Sequence, residues 1–364
     1  MFDRLSEFFE KNNLLSSFQY GFRKGKSTAD AIYELVEQIS GAVDGSLYAV
    51  GAFCDLSKAF DSVNFDILVG KLECYGIGGT VIEWVRSYLV GRKQRVEIDS
   101  CTRSSFRLVC SGVPQGSILG PLLFLVYCND LPDITSLSQV FMYADDTSIV
   151  ASSKDKTELT HKLTESLDKV NRWCGVNGLK INPSKTKFTN FHLNHSKTPQ
   201  SDSSYLPPHF DCVPSTKFLG LQIDSTLSWR CHVNTLLPRL SKAFYALISL
   251  SQSVDIKVQK QVYFAYFHSL ISYGLLFWGN STEADRIFKM QKRVIRLLSG
   301  LSPRHTCKQE FRKLHILPLP SLFILQSLLF VKSNYENFFR NNHIHKYSTR
   351  SISTLQYPIH RTTF

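Results

Sequence analysis

The sequence predicts an α+β fold, in which an antiparallel sheet backed by helices is followed by a largely helical region. Residues 141–150 predict a β-hairpin, because β-forming residues lie on both sides of a polar Asp-Asp-Thr corner. The apolar run of residues 47–54 predicts a buried strand. Beyond Leu227 the apolar residues recur at helical spacing, which predicts the helical region.

Length and composition are those of a globular protein. The chain has 364 residues and 43% hydrophobic residues, enough for a large core and for two or three domains. The net charge of +12 is unevenly placed: residues 226–364 hold 19 Lys and Arg against 5 Asp and Glu. This asymmetry favours a basic surface for a phosphate backbone over a merely solvated one.

Cysteine usage and the N-terminus predict an intracellular protein, nuclear or cytoplasmic and not secreted. The nine cysteines form no C-x-x-C pair, which favours a reducing compartment without a disulfide framework. The first residues contain no apolar signal core, and the longest apolar runs are too short to span a bilayer. No histidine cluster has a partnering cysteine pair, so we expect no zinc site. The short apolar runs also predict no contact with a membrane.

Three aspartates form the candidate catalytic and metal site. Asp145 and Asp146 lie side by side at the hairpin tip, where their charges repel unless a cation lies between them. Asp55 closes the apolar strand and would complete a site for two Mg²⁺ or Mn²⁺ ions, which prefer oxygen ligands. The alternative for an isolated Asp-Asp pair is a solvated turn.

The N-terminal region predicts a helix over residues 1–15, ended by Asn12 and Asn13. Residues 19–26 form a loop in which glycine amides and cations, Arg23 among them, could hold phosphate oxygens. A solvated turn is the alternative. Ser27 and Thr28 then cap a helix over residues 29–40.

The segment after Asp55 predicts two helices, one capped by Asn64 and stopped by Gly76, the other capped by Thr80. A strand pair over residues 94–98 and 105–110 precedes a glycine-flanked loop at residues 111–117 and a helix over residues 118–127. In that loop Gly116 permits close backbone approach, and Gln115 can contact a sugar hydroxyl or a base edge. A plain turn from loop to helix is the alternative.

The rest of the chain predicts an amphipathic helix over residues 159–173, a loop over residues 192–211 and a strand over residues 218–223. From about residue 341 the sequence is polar and basic and predicts a frayed tail. Residues 286–298 predict a helix with a basic face, formed by Arg286, Lys289, Arg293 and Arg296. We expect this face to contact a duplex backbone, the alternative being a membrane surface.

Ordered blocks along nearly the whole chain resemble the reverse transcriptases of non-LTR retrotransposons, closest to jockey-like elements of insects. The matching blocks are Gln19 to Arg23, Phe53 to Val63, Ser111 to Phe124, Tyr143 to Asp146, Trp173 to Thr186, and Phe218 to Asp224.

This resemblance implies a right-hand polymerase fold and RNA-directed DNA synthesis with an RNA template, a DNA primer, an RNA–DNA duplex and deoxynucleoside triphosphates. It assigns residues 1–50 to partial fingers, 51–225 to the palm, 226–300 to a helical basic thumb and 301–364 to a helical extension and tail. In the family two Mg²⁺ ions assist attack of the primer 3′-hydroxyl on the α-phosphorus. Asp55 and Asp145 would bridge the ions and Asp146 would support one.

The resemblance also implies roles for single residues around the nucleotide. Lys185 would either protonate the leaving pyrophosphate or contact a phosphate, and Phe60 would exclude a ribose 2′-hydroxyl. Phe60 could instead be an ordinary core residue. Arg23, Gln115 and Gly116 would contact the nucleotide, and the segment near Phe218 resembles the primer grip.

Relatives carry a further fingers block and an endonuclease domain upstream, so the resemblance implies an N-terminally truncated polymerase. The alternative function is therefore a catalytically inactive remnant that binds RNA or an RNA–DNA duplex.

Overall fold

The structure is a computed structural model that describes residues 1–99, 101–193, 206–207, 210–338 and 355. The chain divides into two compact units, Met1–Leu219 and Gly220–Phe364. The domain bounds that the resemblance implies stay a prediction. The tail from residue 341 and most of the loop at residues 192–211 lie outside the described residues.

The first unit contains six α-helices and seven strands within its described part, with short 3-10 helices at Ala59–Ser62 and Pro132–Ile134. In chain order these are α1 (Phe2–Lys11), α2 (Thr28–Asp44), β1 (Tyr48–Cys54), α3 (Phe65–Cys74), α4 (Thr80–Leu89), β2 (Lys93–Gln94), β3 (Arg107–Leu108), α5 (Leu119–Cys128), β4 (Gln139–Tyr143), β5 (Asp146–Ser153), α6 (Lys156–Val176), β6 (Lys187–Phe191) and β7 (Ser215–Phe218).

A four-stranded antiparallel sheet in the order β4-β5-β1-β6 organises this unit. Every residue of β1 after Tyr48 is buried, as expected of an inner strand that is covered on both faces. Helices α3 and α5 pack on each other, α6 packs against β5, and α5 is apolar and buried on nearly all sides. The sheet and its helices therefore hold the ends of β1 and β5 in a rigid frame.

The expected helices and hairpin are present, with small shifts in their bounds. α1 is shorter than expected, and Asn12 and Asn13 end it with positive φ at Asn13. A capping box of Ser27 and Asp30 begins α2, and the side chain of Asn64 caps α3. The prediction that Thr80 caps α4 is wrong: Gly79, at φ +58°, is the N-cap and Thr80 is the first helical residue.

Two strand predictions need correction. The pair at residues 94–98 and 105–110 has only two residues of regular ladder in each strand, β2 and β3, with a single further bridge between Glu97 and Arg103. Residues 218–223 are not one strand, because Leu219 and Gly220 both have positive φ and turn the chain. The turn separates β7 from a later strand, β8 (Leu221–Asp224), which begins the second unit.

The second unit is helical after β8, as the sequence predicts. Its helices are α7 (Arg230–Ser251), α8 (Ile256–Val262), α9 (Ser269–Ser272), α10 (Leu275–Trp278), α11 (Ala284–Leu298), α12 (Lys308–Lys313) and α13 (Leu319–Ser333), with a π-helical segment at Tyr263–His268. α11 packs against α7 and α13. No helix in the described part of the chain combines the length and apolar character needed to cross a membrane.

Candidate active site

Asp55 follows directly on β1, the inner strand of the sheet. The register ends with Cys54 opposite Thr147 of β5, so Asp55 and Asp146 come next on the two strands, and both line one cleft. On the other side, Phe53 pairs with Lys187 of β6, which brings Lys185 opposite Asp55. Residues directly opposite one another point to the same face of a sheet. The sheet therefore presents two carboxylates and a lysine side by side.

Asp145 and Asp146 lie where β4 turns into β5. Tyr143 pairs with Asp146, which leaves Ala144 and Asp145 as a two-residue loop. Ala144 has φ +57°, in the left-handed region. Asp145 is half-buried and Asp146 is exposed at the strand end. Both aspartates thus lie at the end of the sheet that carries Asp55, and Asp146 lines the same cleft as Asp55.

The three carboxylates are close enough to repel. The pKa of Asp146 is raised first by desolvation, then by the charges of Asp145 and Asp55, and Lys217 lowers it in part. Asp146 is exposed at its tip, yet the protein around it removes enough water for desolvation to be the largest cause. A divalent cation would relieve this repulsion, so the residues fit Mg²⁺ or Mn²⁺.

The aspartates would form an open metal site, in which the protein supplies only some of the ligands. Among the described residues, no group of three or more His, Cys, Asp or Glu side chains is arranged to hold a metal ion on its own. Asp55 instead forms an ion pair with Lys185, with Nζ 3.1 Å from Oδ2. Mg²⁺ is commonly held by one or two carboxylates, substrate phosphates and water. A site of this kind would be completed by the substrate.

We expect Asp146→Asn to stabilise the metal-free protein at neutral pH. Because the folded-state pKa of Asp146 is raised, folding stability falls as the pH rises from about 3.9, the unfolded value, through the folded pKa. The variant removes this penalty and should unfold at a higher temperature than wild type at pH 7. The difference should vanish near pH 4.

Thermal unfolding between pH 4 and 8 in buffer with a chelator checks this prediction. Asp168→Asn, which removes an exposed charge from α6, is the control and should show no such pH dependence. Mg²⁺ should narrow the gap by stabilising wild type more than Asp146→Asn. A variant that is less stable than wild type at pH 7 would contradict mutual repulsion at this site.

A cleft of about 260 Å³ adjoins the strand ends. Its charged lining consists of Asp55, Asp146, Lys185, Lys187 and Lys217. A lining that contains both carboxylates and lysines suits a cation together with the phosphates that it binds. Lys187 and Lys217 were not predicted as site residues. Lys187 lies in β6 and Lys217 in β7, and their place in strands after Lys185 was the only sign in the sequence that they could line the cleft.

The glycine-flanked loop at residues 111–117 packs on the turn that follows Asp55. The Val113 amide donates to the Phe60 carbonyl at 2.8 Å, and Gln115 Nε2 donates to Asp61 Oδ1 at 2.9 Å. A Cβ on Gly112 would lie 2.8 Å from Asp61 Cα, so only glycine fits there. The structure therefore brings Phe60 and Gln115 together. Gly116, at φ +79°, lies in open space.

Phe60 is half-buried and packs on other aromatic rings. Its ring stacks on Phe124 at 4.3 Å between centroids and meets the exposed ring of Phe22 edge-on at 6.3 Å. This environment is consistent with Phe60 as a core residue, because its ring stacks on Phe124, and also with Phe60 as a sugar gate, because the side chain is only half-buried. The sugar gate stays a prediction.

Arg23 lies in a structural contact that weighs against its predicted nucleotide role. Its guanidinium forms a two-pronged ion pair with Glu10 at 3.0 and 2.8 Å and donates to the Ser16 carbonyl at 2.7 Å. Only 12% of its side chain is exposed. The donors that would grip a phosphate are thus engaged in tying α1 to the loop.

The basic face of α11 is present, although its members differ. Ile287 and Val294 are buried on the opposite face, as predicted. Arg286 pairs with Glu283 and donates to Asn234, and Arg296 donates to the His305 carbonyl. Lys289 and Arg293 are exposed, and Lys289 lies in a long, exposed ion pair with Asp285, at 3.8 Å between Nζ and Oδ2.

Gln19 is a further functional candidate that the sequence did not reveal. Its buried side chain contacts Ala144, the residue before the two adjacent aspartates. The contact spans 125 positions, so no local pattern could indicate it. A glutamine in a loop is ordinarily exposed, and its burial is visible only in the structure.

Comparisons with known proteins identify the family. Residues 1–223 match the family described as reverse transcriptase (RNA-dependent DNA polymerase). The probable RNA-directed DNA polymerase from transposon BS of Drosophila melanogaster is 28% identical over 318 residues, covering 82% of this chain and 34% of that protein. The RNA-directed DNA polymerase from mobile element jockey of the same species is 28% identical over 303 residues, covering 79% and 32%. The chain thus spans about a third of the length of these relatives.

Solved structures give a further likeness. The telomerase of Candida albicans, in complex with a TWJ fragment of telomeric RNA, has a TM-score of 0.47 at 12% identity and covers 87% of this chain and 58% of its own. The telomerase of Candida tropicalis with the same kind of RNA has a TM-score of 0.46 at 14% identity, with 92% and 55% covered.

The predicted fold class is confirmed: the chain has an α+β architecture with an antiparallel sheet, that of the right-hand polymerases. The family resemblance of the sequence blocks is also confirmed. The chain belongs to the reverse transcriptase (RNA-dependent DNA polymerase) family, with homologues among the polymerases of jockey-type non-LTR retrotransposons.

Proposed function

We propose that this chain is an RNA-directed DNA polymerase of a non-LTR retrotransposon. The observation that carries the proposal is the placement of three aspartates at one end of the sheet: Asp55 follows β1, Asp146 begins the neighbouring strand β5, and Asp145 lies in the hairpin loop before it. The raised pKa of Asp146 supports it, because such repulsion favours a bound divalent cation.

Asp55, Asp145 and Asp146 would hold two Mg²⁺ ions, with Mn²⁺ as a possible substitute. Bound there, the ions would lower the pKa of the primer 3′-hydroxyl and neutralise charge on the triphosphate. The ion pair with Lys185 engages only Oδ2 of Asp55, and binding of a cation by this carboxylate would compete with the lysine for its charge. The Lys185 ammonium would then remain beside the departing phosphates, where it can donate a proton or a hydrogen bond.

The loop around Gln115 and Gly116 would form part of the nucleotide pocket together with Phe60. Positive φ at Gly116 and the open space around it leave room for a ligand close to the backbone. Gln115 is exposed and tied to Asp61 through Nε2, which leaves its carbonyl oxygen to accept from a sugar hydroxyl or a base. The substrates would be deoxynucleoside triphosphates.

The macromolecular partners would be an RNA template, a DNA primer and the RNA–DNA duplex that they form. The positive surplus of residues 226–364 supports this proposal. An intracellular location, nuclear or cytoplasmic, fits the nine free cysteines.

A template-exchange experiment tests the proposed function. Purified protein is given a DNA primer annealed to RNA templates that differ only in the first unpaired base, with one deoxynucleoside triphosphate at a time and Mg²⁺ or Mn²⁺. The proposal expects the added nucleotide to follow the template base in every case. Addition that ignores the template would contradict it.

The second candidate function is an inactive remnant that binds RNA or an RNA–DNA duplex. The observations that favour it are the ion pair between Lys185 and Asp55 and the lack of a ready three-carboxylate group among the described residues. Duplex binding without extension at any Mg²⁺ or Mn²⁺ concentration would support the remnant.

The basic face of α11 provides a prediction about binding. Replacing Arg286, Lys289, Arg293 and Arg296 with Gln should weaken duplex binding regardless of sequence. Each lost phosphate contact should reduce the salt slope by about 0.9 on B-form duplex. Because Arg286 and Arg296 make short contacts within the protein, whereas the ion pair of Lys289 with Asp285 is long and exposed, Lys289 and Arg293 should account for most of the change.

Binding titrations at salt concentrations from about 50 to about 200 mM check this prediction, because affinity that depends on phosphate contacts falls steeply over this range. The control replaces Lys242, Lys257, Lys260 and Lys332 with Gln, which changes the net charge equally but on helices other than α11. An equal loss in both variants would show a general charge effect and return α11 to a solvated surface.

A further inference from the structure

The residues just before the first glycine of the N-terminal loop run along the sheet. The Tyr20 amide donates to the Met142 carbonyl, and the Met142 amide donates to the Phe18 carbonyl, both at 2.9 Å. Gln19 forms a parallel bridge with Met142. A short segment far away in sequence thus covers the outer edge of β4, the strand that leads into the aspartate loop.

The Gln19 side chain reaches from this segment into the loop itself. Its Oε1 accepts hydrogen bonds from the Ala144 amide at 3.0 Å and from the Gly21 amide at 2.8 Å. Its Nε2 lies 3.5 Å from the Ala144 carbonyl oxygen, the outer limit of a hydrogen bond. Gln19 is only 1% exposed, so water does not replace these contacts.

Ala144 needs this support because of its backbone. Its φ of +57° is a conformation in which alanine is disfavoured and glycine is usual. A residue held in such a region persists only when the surroundings fix it. Without Gln19 the Ala144 amide would be a buried donor with no protein acceptor described for it.

Gly21 completes the contact. A Cβ at this position would lie 2.4 Å from the Ala144 nitrogen, nearer than any side-chain carbon can come. The segment can therefore approach the loop only because residue 21 has no side chain. Gln19 supplies the acceptor and Gly21 supplies the space.

We propose that Gln19 and Gly21 are positioning residues that hold Ala144 in its left-handed conformation and thereby fix where Asp145 and Asp146 point. This inference rests on the proposed function for its effect on metal binding and extension. The role of Gln19 and Gly21 in holding the backbone of Ala144 does not depend on that function. The loop at residues 19–26 was predicted to hold phosphate oxygens, whereas this geometry gives Gln19 and Gly21 a role in the shape of the proposed metal site.

The substitution Gln19→Met keeps length and removes both polar atoms. We expect faster hydrogen exchange in peptides that cover the β4–β5 hairpin, and an affinity for MnCl₂ lowered by about 10-fold or more, as is usual when a partner of a metal ligand is lost. Extension, where wild type shows it, should fall with a larger change in kcat than in the KM for the nucleotide.

Gln291→Met is the matched control. Gln291 is also fully buried, and its Oε1 accepts from the Leu319 amide at 2.8 Å while Nε2 donates to the Leu317 carbonyl. Its loss should lower the unfolding temperature to a similar extent. It should leave hairpin exchange and MnCl₂ affinity unchanged, which separates positioning from general stability.

Ala144→Gly gives a second test, because glycine adopts positive φ without strain. Combined with Gln19→Met it should recover part of the lost MnCl₂ affinity. If Gln19→Met leaves hairpin exchange and MnCl₂ affinity at wild-type values, the proposal is overturned. If wild type itself extends no primer, the proposed polymerase function fails, while hairpin exchange still decides the role of Gln19.

Discussion

Asp145→Asn should lower the single-turnover rate of primer extension by about 1,000-fold or more, equivalent to about 4 kcal/mol of transition-state stabilisation. The substitution keeps the size of the side chain and removes the charge that a divalent cation requires. Asp145 lies in the two-residue loop between β4 and β5, so the amide should leave the sheet register intact. Duplex affinity should stay within about 2-fold, because phosphate contacts do not depend on this carboxylate.

Asp168→Asn is the control for Asp145→Asn and should extend primers at the wild-type rate. Rapid quench with enzyme in excess over the primer–template separates chemistry from product release. Extension by Asp145→Asn at a rate near wild type would contradict the assignment of Asp145 as a metal ligand, whatever the affinity for duplex.

Phe60→Val should allow ribonucleotide insertion, raising its kcat/KM by about 100-fold, a change of about 2.7 kcal/mol. Phe60 lies in the turn after Asp55, and its carbonyl accepts a hydrogen bond from the Val113 amide of the glycine-flanked loop. A rigid ring there would exclude the 2′-hydroxyl by steric clash, which needs no hydrogen bond. Deoxynucleotide insertion should change by less than about 3-fold, since the smaller side chain removes no contact to the triphosphate.

The control for Phe60→Val is Phe8→Val, a truncation of another half-buried ring that packs on the same core from α1. Both variants should lose about 1–2 kcal/mol of stability, less than full core truncation costs. Only Phe60→Val should change sugar selectivity. Equal loss of ribonucleotide and deoxynucleotide insertion, with a lower unfolding temperature, would show that Phe60 is a core residue because of its stack on Phe124.

The local elements could be predicted from the sequence because their signals are local. Ser27 with Asp30 forms a capping box, Asn64 caps α3, and alternation around the Asp-Asp corner gives the hairpin. The place of Asp55 at the end of an inner strand followed from an apolar run.

The contacts that shape the site could not be predicted, because they join distant segments. The register that sets Lys185 opposite Asp55, and the hydrogen bond from Ala144 to Gln19, each depend on how the sheet closes. Arg23 looked like a phosphate ligand because a free guanidinium suits one, but Glu10 on the preceding helix occupies it. Single-residue backbone choices, such as Gly79 at the start of α4, were equally hidden.

Primer extension under single-turnover conditions, with MgCl₂ varied and the released pyrophosphate counted, tests the central proposal most directly. The primer is DNA, the template is RNA, and the protein is the full 364-residue chain. The proposed site of Asp55, Asp145 and Asp146 predicts no extension in chelator, a rate that rises with Mg²⁺ or Mn²⁺, and one pyrophosphate released for each nucleotide added. Tight binding of the primer–template, with no nucleotide added at any concentration of either metal, would contradict it.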